Sequence, residues 1–558
     1  MSMQIGQVPS NKISSLQRFS DWLYLAAIMA IVSLLLLLPV FPSGDGAVHL
    51  YYSHVLDELL QHQTNYVGYY SIRHLVAPYL VHYAALIALE RFISASLAEK
   101  IFAALTVLNI GLGFRFLARK LGSNAGLAVL LGVPLLLSFW LVAGFMNYCF
   151  AVGVALWCIG FWQDLRRPKA AASFVGFVIG VAILIISHPV PLLLLIGICF
   201  IELALVVLER GRCGAVIFEG LRLPIIALCV ACAAFVFPIL VADKSRVASD
   251  ALGFGLRKEV LEIFLKGQML SMFSSPPFIH GKFNMLVAAL LPVIAFLALR
   301  DIRRHWSGGG LTSVDRLAVA ALLLVGFSLL LPVEMNGSEY FSQRMWWMLW
   351  LVALATVSGL DLEGRIRPAI FGAGCLLTGL TAYSAGVLLP PVAKQMALID
   401  GIKLPHGGKG LFLESRDTVT KDILGYMVFR WGGVRAFMHS DAVLLNSPWM
   451  DTTISPLKAE PDSDLLVNYT DKENLEPFNL ISHLNDNQTL KHRVLDSADF
   501  IYYIDPNDKS PTPEEDMQSF LSGQNGKWNC QAGTIYALCQ RTAPYSGSSE
   551  VVSARGTK

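Results

Sequence analysis

WLYLAAIMAIVSLLLLLPVF, residues 22 to 41, runs without a charge into PSGDGAVHLYYSHVLDELL, residues 42 to 60, and the junction between them decides the fold. A helix needs about twenty apolar residues to cross the roughly 30 Å hydrocarbon core, and the first stretch supplies them. Lys12 and Arg18 precede it, but no small-x-small cleavage pattern stands before Ser43. It therefore reads as a retained first span rather than a removed leader. The second stretch places a carboxylate, imidazoles and tyrosines immediately beyond the lipid.

The rest of the chain repeats the first pattern. Of its 558 residues 54% are hydrophobic and 15% charged, far from the balance of a soluble protein, in which about a quarter are charged. A net charge of +2, with basic residues in short clusters between apolar runs, argues against a nucleic-acid partner. A chain in lipid must close its own backbone hydrogen bonds, so each long run predicts a helix. The spans expected are 22–42, 97–117, 125–141, 146–163, 171–187, 190–208, 221–241, 283–300, 314–332, 344–360 and 367–389. The fold class is thus an all-α polytopic membrane protein of about eleven transmembrane helices, with a small C-terminal extracytoplasmic α/β or α+β domain. Residues 1–390 form the membrane domain, with a first extracytoplasmic loop at 43–96, and 391–558 form the soluble domain.

Orientation follows from the basic residues. The run His74 to Phe92 is long enough to cross but carries His82, Glu90 and Arg91 in an amphipathic arrangement. If it lies in the interface, the clusters Arg119-Lys120, Arg166-Arg167-Lys169, Arg210-Arg212, Arg300-Arg303-Arg304 and Arg365-Arg367 all fall inside. If it spans, all fall outside, against the positive-inside rule. The first arrangement gives a cytoplasmic N-terminus and a periplasmic tail in a bacterial inner membrane. It also puts outside the turn Ala143 to Asn147, the turn His188-Pro189, and the loops 243–282 and 333–343. In the tail, Phe500 to Ile504 reads as a strand, and Cys530 and Cys539 flank a hairpin that an oxidising compartment would let close as a disulfide.

Candidate chemistry gathers outside. Asp45 and His49 stand four residues apart, one helical face if the segment is helical. A carboxylate there serves either as the N-cap of an interfacial helix or as a general base or metal ligand. His54, Asp57, Glu58, His62, Tyr66, Tyr69, Tyr70, Arg73 and His74 follow, the tyrosines being equally at home in an interfacial aromatic belt. No His-x-x-x-His with a downstream carboxylate forms a closed metal site, and a divalent metal is left open. Arg344 opens the span beginning Met345-Trp346-Trp347-Met348 from the outside; its planar fork suits a lipid phosphate, and an ordinary snorkelling arginine is the other reading. His188-Pro189 and Asn147-Tyr148 sit at hairpin tips, as turn formers or as the lining of a shared cavity.

With these residues in place the chain resembles the GT-C superfamily of integral-membrane glycosyltransferases. The resemblance covers about the first 390 residues in topology and a few residues in motif. It implies a catalytic Asp45, with His49 beside it, in a long first extracytoplasmic loop. It also implies that Arg344 binds the donor phosphate of a polyprenyl-phosphate-linked sugar; His49 or His188 is a further candidate to stabilise that phosphate. The tail lacks a Trp-Trp-Asp motif, and Asp45 is not followed by the Glu that protein mannosyltransferases carry, Asp57-Glu58 lying a dozen residues further on. That favours a glycan, polymer or lipid acceptor over a protein. Two other classes stay open: a transporter or flippase, and a non-catalytic envelope assembly protein. In intact cells an impermeant maleimide should label a cysteine placed near residue 460 and spare one near residue 168; the reverse pattern contradicts the orientation.

Overall fold

The computed structural model describes residues 15–61, 65–73, 79–166, 170–210, 217–241, 258–265, 282–308, 310–331, 341–362, 364–415, 431–446, 457–460, 463, 465–466, 477–505, 512–524 and 527–542. The expected outside loop around Glu334 and most of the loop 243–282 lie outside these residues, as do His62, His74, Arg167 and Arg212. The chain forms two compact units. One comprises residues 1–37, 101–141 and 146–388; the other comprises 38–100, 142–145 and 389–558.

The first unit is helical. Ser15–Leu37, Ala95–Leu121, Met146–Asp164, Pro189–Glu209, Met285–Ser307 and Ile366–Asp400 are long and apolar enough to cross a membrane. Ala125–Leu131 and Val133–Val142 add a seventh if the pair, bent by 56°, is one span. The bend falls at Gly132, where Pro134 begins a new helix and has no N–H to continue the old ladder. The remaining expected runs are helical too: Ala171–Ser187, Ile217–Val241, Ser313–Ser328 and Phe341–Thr356. Three of these four have only 16 or 17 residues, so among the described residues six or seven stretches meet the length and composition of a span, against about eleven expected.

Helix ends carry the charges. Arg115 and Arg119 both hold Asp21, at 2.6 Å and 2.7 Å, Lys120 holds Asp164, and Arg166 holds Glu202 at 2.8 Å. Two of the basic clusters that set the expected orientation are thereby joined by ion pairs at one end of this unit.

The first helix differs from expectation, ending at Leu37 rather than near residue 42. Pro39 and Pro42 lack donors and bias the residues before them away from helix, so 38–45 is irregular. His74 to Phe92 contains a helix of 11 residues, Leu80–Glu90, too short to cross on its own where about twenty are needed.

The second unit is built on a sheet. Its strands are β1 (Tyr70–Ile72), β2 (Lys409–Glu414), β3 (Val443–Leu444), β4 (Leu457–Ala459), β5 (Phe500–Ile504), β6 (Trp528–Ala532) and β7 (Tyr536–Arg541). Five make one sheet in the order β3-β2-β5-β7-β6, with β2 parallel to β3 and β5 and the other pairs antiparallel. β5 is buried along its whole length, as an unbroken Phe-Ile-Tyr-Tyr-Ile run covered on both faces requires. Leu411, Leu413, Ile501 and Tyr503 meet Leu480, Leu484, Val494, Met517 and Phe520 of the covering helices on one face. On the other, Phe437 of the short helix Val434–His439 stacks on Phe500 at 5.4 Å.

The loop expected to belong with the membrane helices belongs by its contacts to this unit. Its strand β1 pairs with β4 of the tail, and the Tyr51 hydroxyl donates to the Ala442 carbonyl and accepts from Leu444 N–H, at 3.1 Å and 3.0 Å. Tyr51, Tyr66 and Tyr70 are therefore core residues rather than an aromatic belt. Cys530 and Cys539 face each other across β6 and β7 as a disulfide. Replacing both with Ser should cost about 2–3 kcal/mol in the stability of the tail, as closure of a loop of this size gives. Peptide mapping without reductant should recover the linked pair; free thiols in the purified protein contradict it.

Candidate functional site

The irregular segment 38–45 cannot satisfy its backbone internally, and each polar group buried without a partner costs on the order of 1–3 kcal/mol. Neighbours of the same unit supply the partners. Lys100 Nζ donates to Leu38 O at 2.8 Å, and Arg435 Nη2 donates to Phe41 O at 3.1 Å. The N–H groups of Gly44 and Asp45 donate to Val142 O and Ala143 O, at 3.1 Å and 3.0 Å. Gly144 makes this approach possible: its φ is +97°, and a Cβ there would lie 2.3 Å from Gly46 N and 2.7 Å from Asp45 N. No other residue type fits.

Asp45 precedes the helix Gly46–Leu60, whose first N–H groups bond to its carbonyl: Val48 and His49 both at 3.1 Å. Its side chain makes no capping hydrogen bond to that helix and is 2% exposed. The residue thus stands in the N-cap position without using its carboxylate as a cap.

His49 begins the helix's second turn and turns its ring into an aromatic cluster. Nδ1 lies 2.9 Å from the Tyr83 hydroxyl, and the rings of His82 and Tyr79 are 5.2 Å and 5.9 Å away. Burial lowers its pKa to about 4. At neutral pH it is an uncharged hydrogen-bonding group, so it offers no positive charge to a phosphate.

Arg344 and His188 are brought together in the first unit, 156 residues apart in sequence. Arg344 lies in the first turn of the helix Phe341–Thr356 and is 3% exposed. Its guanidinium lies 6.0 Å over the Trp140 ring. The Tyr148 hydroxyl donates to its backbone carbonyl, and the Tyr148 ring packs edge-on against His188 at 5.2 Å. His188 Nδ1 accepts from Val190 N–H at 3.2 Å, while Arg344 Nη1 stands 3.4 Å from Nε2. A neutral imidazole has one acceptor nitrogen, so it cannot accept from both. The tautomer decides which of the two contacts is a hydrogen bond.

Asn147, two residues beyond Phe145, has both amide atoms buried with no hydrogen-bond partner. Among the described residues no group of three or more His, Cys, Asp or Glu is placed to hold a metal ion. The sequence reading passed over Tyr83, Glu99 and Arg435. Each is placed by contacts too distant in sequence to leave a local signal.

No protein-family model matches the sequence, and no curated protein matches it. Among solved structures, the chain is similar to ArnT from Cupriavidus metallidurans bound to undecaprenyl phosphate, at 13% identity over 94% of this chain and 98% of that one, with a TM-score of 0.47. It is also similar to an Archaeoglobus fulgidus oligosaccharyltransferase tethered with an acceptor peptide, at 12% identity over 87% and 69%, TM-score 0.44. A third is the arabinofuranosyltransferase AftD from Mycobacteria, at 12% identity over 94% of this chain and 40% of that one, TM-score 0.49.

The depressed pKa of His49 has a sign that can be measured. In the unfolded chain a histidine binds its proton near pH 6.5. In the fold His49 does so only near 4, so acid favours the unfolded state. Its contribution is complete above about pH 6.5 and is lost as pH falls toward 4. His82 acts in the same direction, through burial and the nearby His49, whereas Glu90, raised by burial to about 7, opposes both. The comparison is therefore between wild type and His49→Gln. The variant should lose less stability between pH 6.5 and pH 4; equal losses in thermal melts contradict a buried neutral His49.

Proposed function

We propose that the chain is a membrane glycosyltransferase moving a sugar from a polyprenyl-phosphate donor to an extracytoplasmic acceptor, a glycolipid or polymer. The observation that carries this is the buried meeting of Arg344 with His188, a guanidinium beside an imidazole, groups suited to a phosphate. It is supported by Asp45, a buried carboxylate in a cap position that does not cap.

In this reading the Asp45 carboxylate takes the proton of the acceptor hydroxyl as its oxygen bonds to the anomeric carbon of the sugar. The bond from that carbon to the phosphate oxygen breaks, and the electron pair leaves with the polyprenyl phosphate. Negative charge grows on the leaving group, where fixed donors contribute most. Arg344 supplies charge and a planar fork, and His188 an oriented N–H. His49, uncharged and bonded to Tyr83, orients the start of the helix beside Asp45 rather than binding phosphate. The N-terminus is cytoplasmic and the tail periplasmic, with the acceptor reached from that side.

A flippase reading would also use an anion site but needs no proton acceptor, and Asp45 separates the two. Asp45→Asn keeps size and polarity, so it should leave folding intact while lowering turnover by roughly two to four powers of ten. Arg344→Lys keeps the charge but loses the fork, and should weaken donor use more than stability. Each is read in a strain deleted for the gene, by mass analysis of envelope glycans and polyprenyl-linked sugars. Normal glycans at normal protein levels in both variants would show that no such site exists.

A further inference from the structure

Arg435 lies on the short helix Val434–His439 of the C-terminal region and is 1% exposed. Its Nη2 donates to both oxygens of Glu99, at 2.9 Å and 2.7 Å, to Phe41 O at 3.1 Å and to Ser43 Oγ at 3.4 Å. Glu99, wholly buried, accepts in turn from Ser43 Oγ at 2.7 Å. The same carboxylate borders the next residue but two, since a Cβ on Gly46 would lie 2.5 Å from Glu99 Oε1 and 2.0 Å from Ser43 Oγ. Asp45 is thus held between two residues that touch one buried ion pair.

Stability alone is a poor reason for that pair. Removing two charges from water is costly, and apolar residues of similar volume in such places are commonly neutral or better. Arg435 also leaves Nε and Nη1 buried without a hydrogen-bond partner, a further cost that a purely stabilising contact would avoid. What the pair does provide is direction. A guanidinium nitrogen locked on a carboxylate reaches the carbonyl of residue 41 and the hydroxyl of residue 43, and so fixes the chain that enters residue 45.

We infer that Arg435 and Glu99 are positioning residues for Asp45, which makes the C-terminal region a working part of the transfer site. The inference rests on the reading of Asp45 as the proton acceptor. The pair aims the carboxylate; neither residue is required to touch the acceptor or the donor.

The test uses the full-length protein in detergent or nanodiscs. In the double variant Glu99→Met, Arg435→Met both charges are gone, so the fold should survive where either single change would strand a buried charge. We expect wild-type binding of added polyprenyl phosphate, a tenfold to hundredfold fall in glycan product in the deletion strain, and faster amide hydrogen exchange at Gly44 to His49. Ser43→Ala removes one arm and no charge, and should give a smaller fall and a smaller rise in exchange. It stands in if the double variant does not fold. Product and exchange both at wild-type values, in whichever of these variants folds, overturn the inference. If Asp45→Asn retains turnover, the catalytic reading fails by itself, while exchange at Gly44 to His49 still reports whether the clamp exists.

Discussion

Irregular backbone buried in a fold must have its polar groups met by something other than bulk water, and the stretch 38–45, buried except at Pro39, is where this chain faces that constraint. Two prolines end the first helix, and the freed carbonyls and amides are taken up by Lys100, Arg435, Val142 and Ala143. Those partners come from the start of the second long helix, from the tip of a bent helical pair and from the C-terminal region. Satisfying one short segment therefore ties residues 38–100, 142–145 and 389–558 into a single unit. Asp45 is oriented as a consequence, because its amide and its carbonyl are both engaged.

Much of this was legible in the sequence where the signal is local. Long apolar runs became helices, Phe500 to Ile504 became a buried strand, and Cys530 and Cys539 met across a hairpin. The exit of the chain from the first helix was read several residues late, because a running hydropathy reading counts Leu38, Val40 and Phe41 as lipid-facing and gives no weight to Pro39 and Pro42. Span number is less legible for a related reason: apolar residues fill both lipid-facing and interior helices, and a run of 16 or 17 residues says little about which.

The site was legible only in part. Asp45 and Arg344 stand out by position relative to the apolar runs, but whether either is a cap or a snorkelling residue depends on side-chain direction, which no local pattern records. Glu99 looks like an ordinary surface charge of the stretch Ala95 to Lys100, and Arg435 like a basic residue in a soluble tail. They meet across 336 positions. The same holds for Arg344 and His188, and for the tyrosines of the first loop, whose hydroxyls serve the backbone of the tail.

The chemical claim turns on the buried meeting of Arg344 with His188. A structure of the protein determined by electron cryomicroscopy in nanodiscs with added polyprenyl phosphate tests it most directly. The account predicts phosphate oxygens within hydrogen-bond distance of both Arg344 Nη1 and His188 Nε2. Phosphate bound elsewhere, with the Arg344 and His188 contact unchanged, would contradict it.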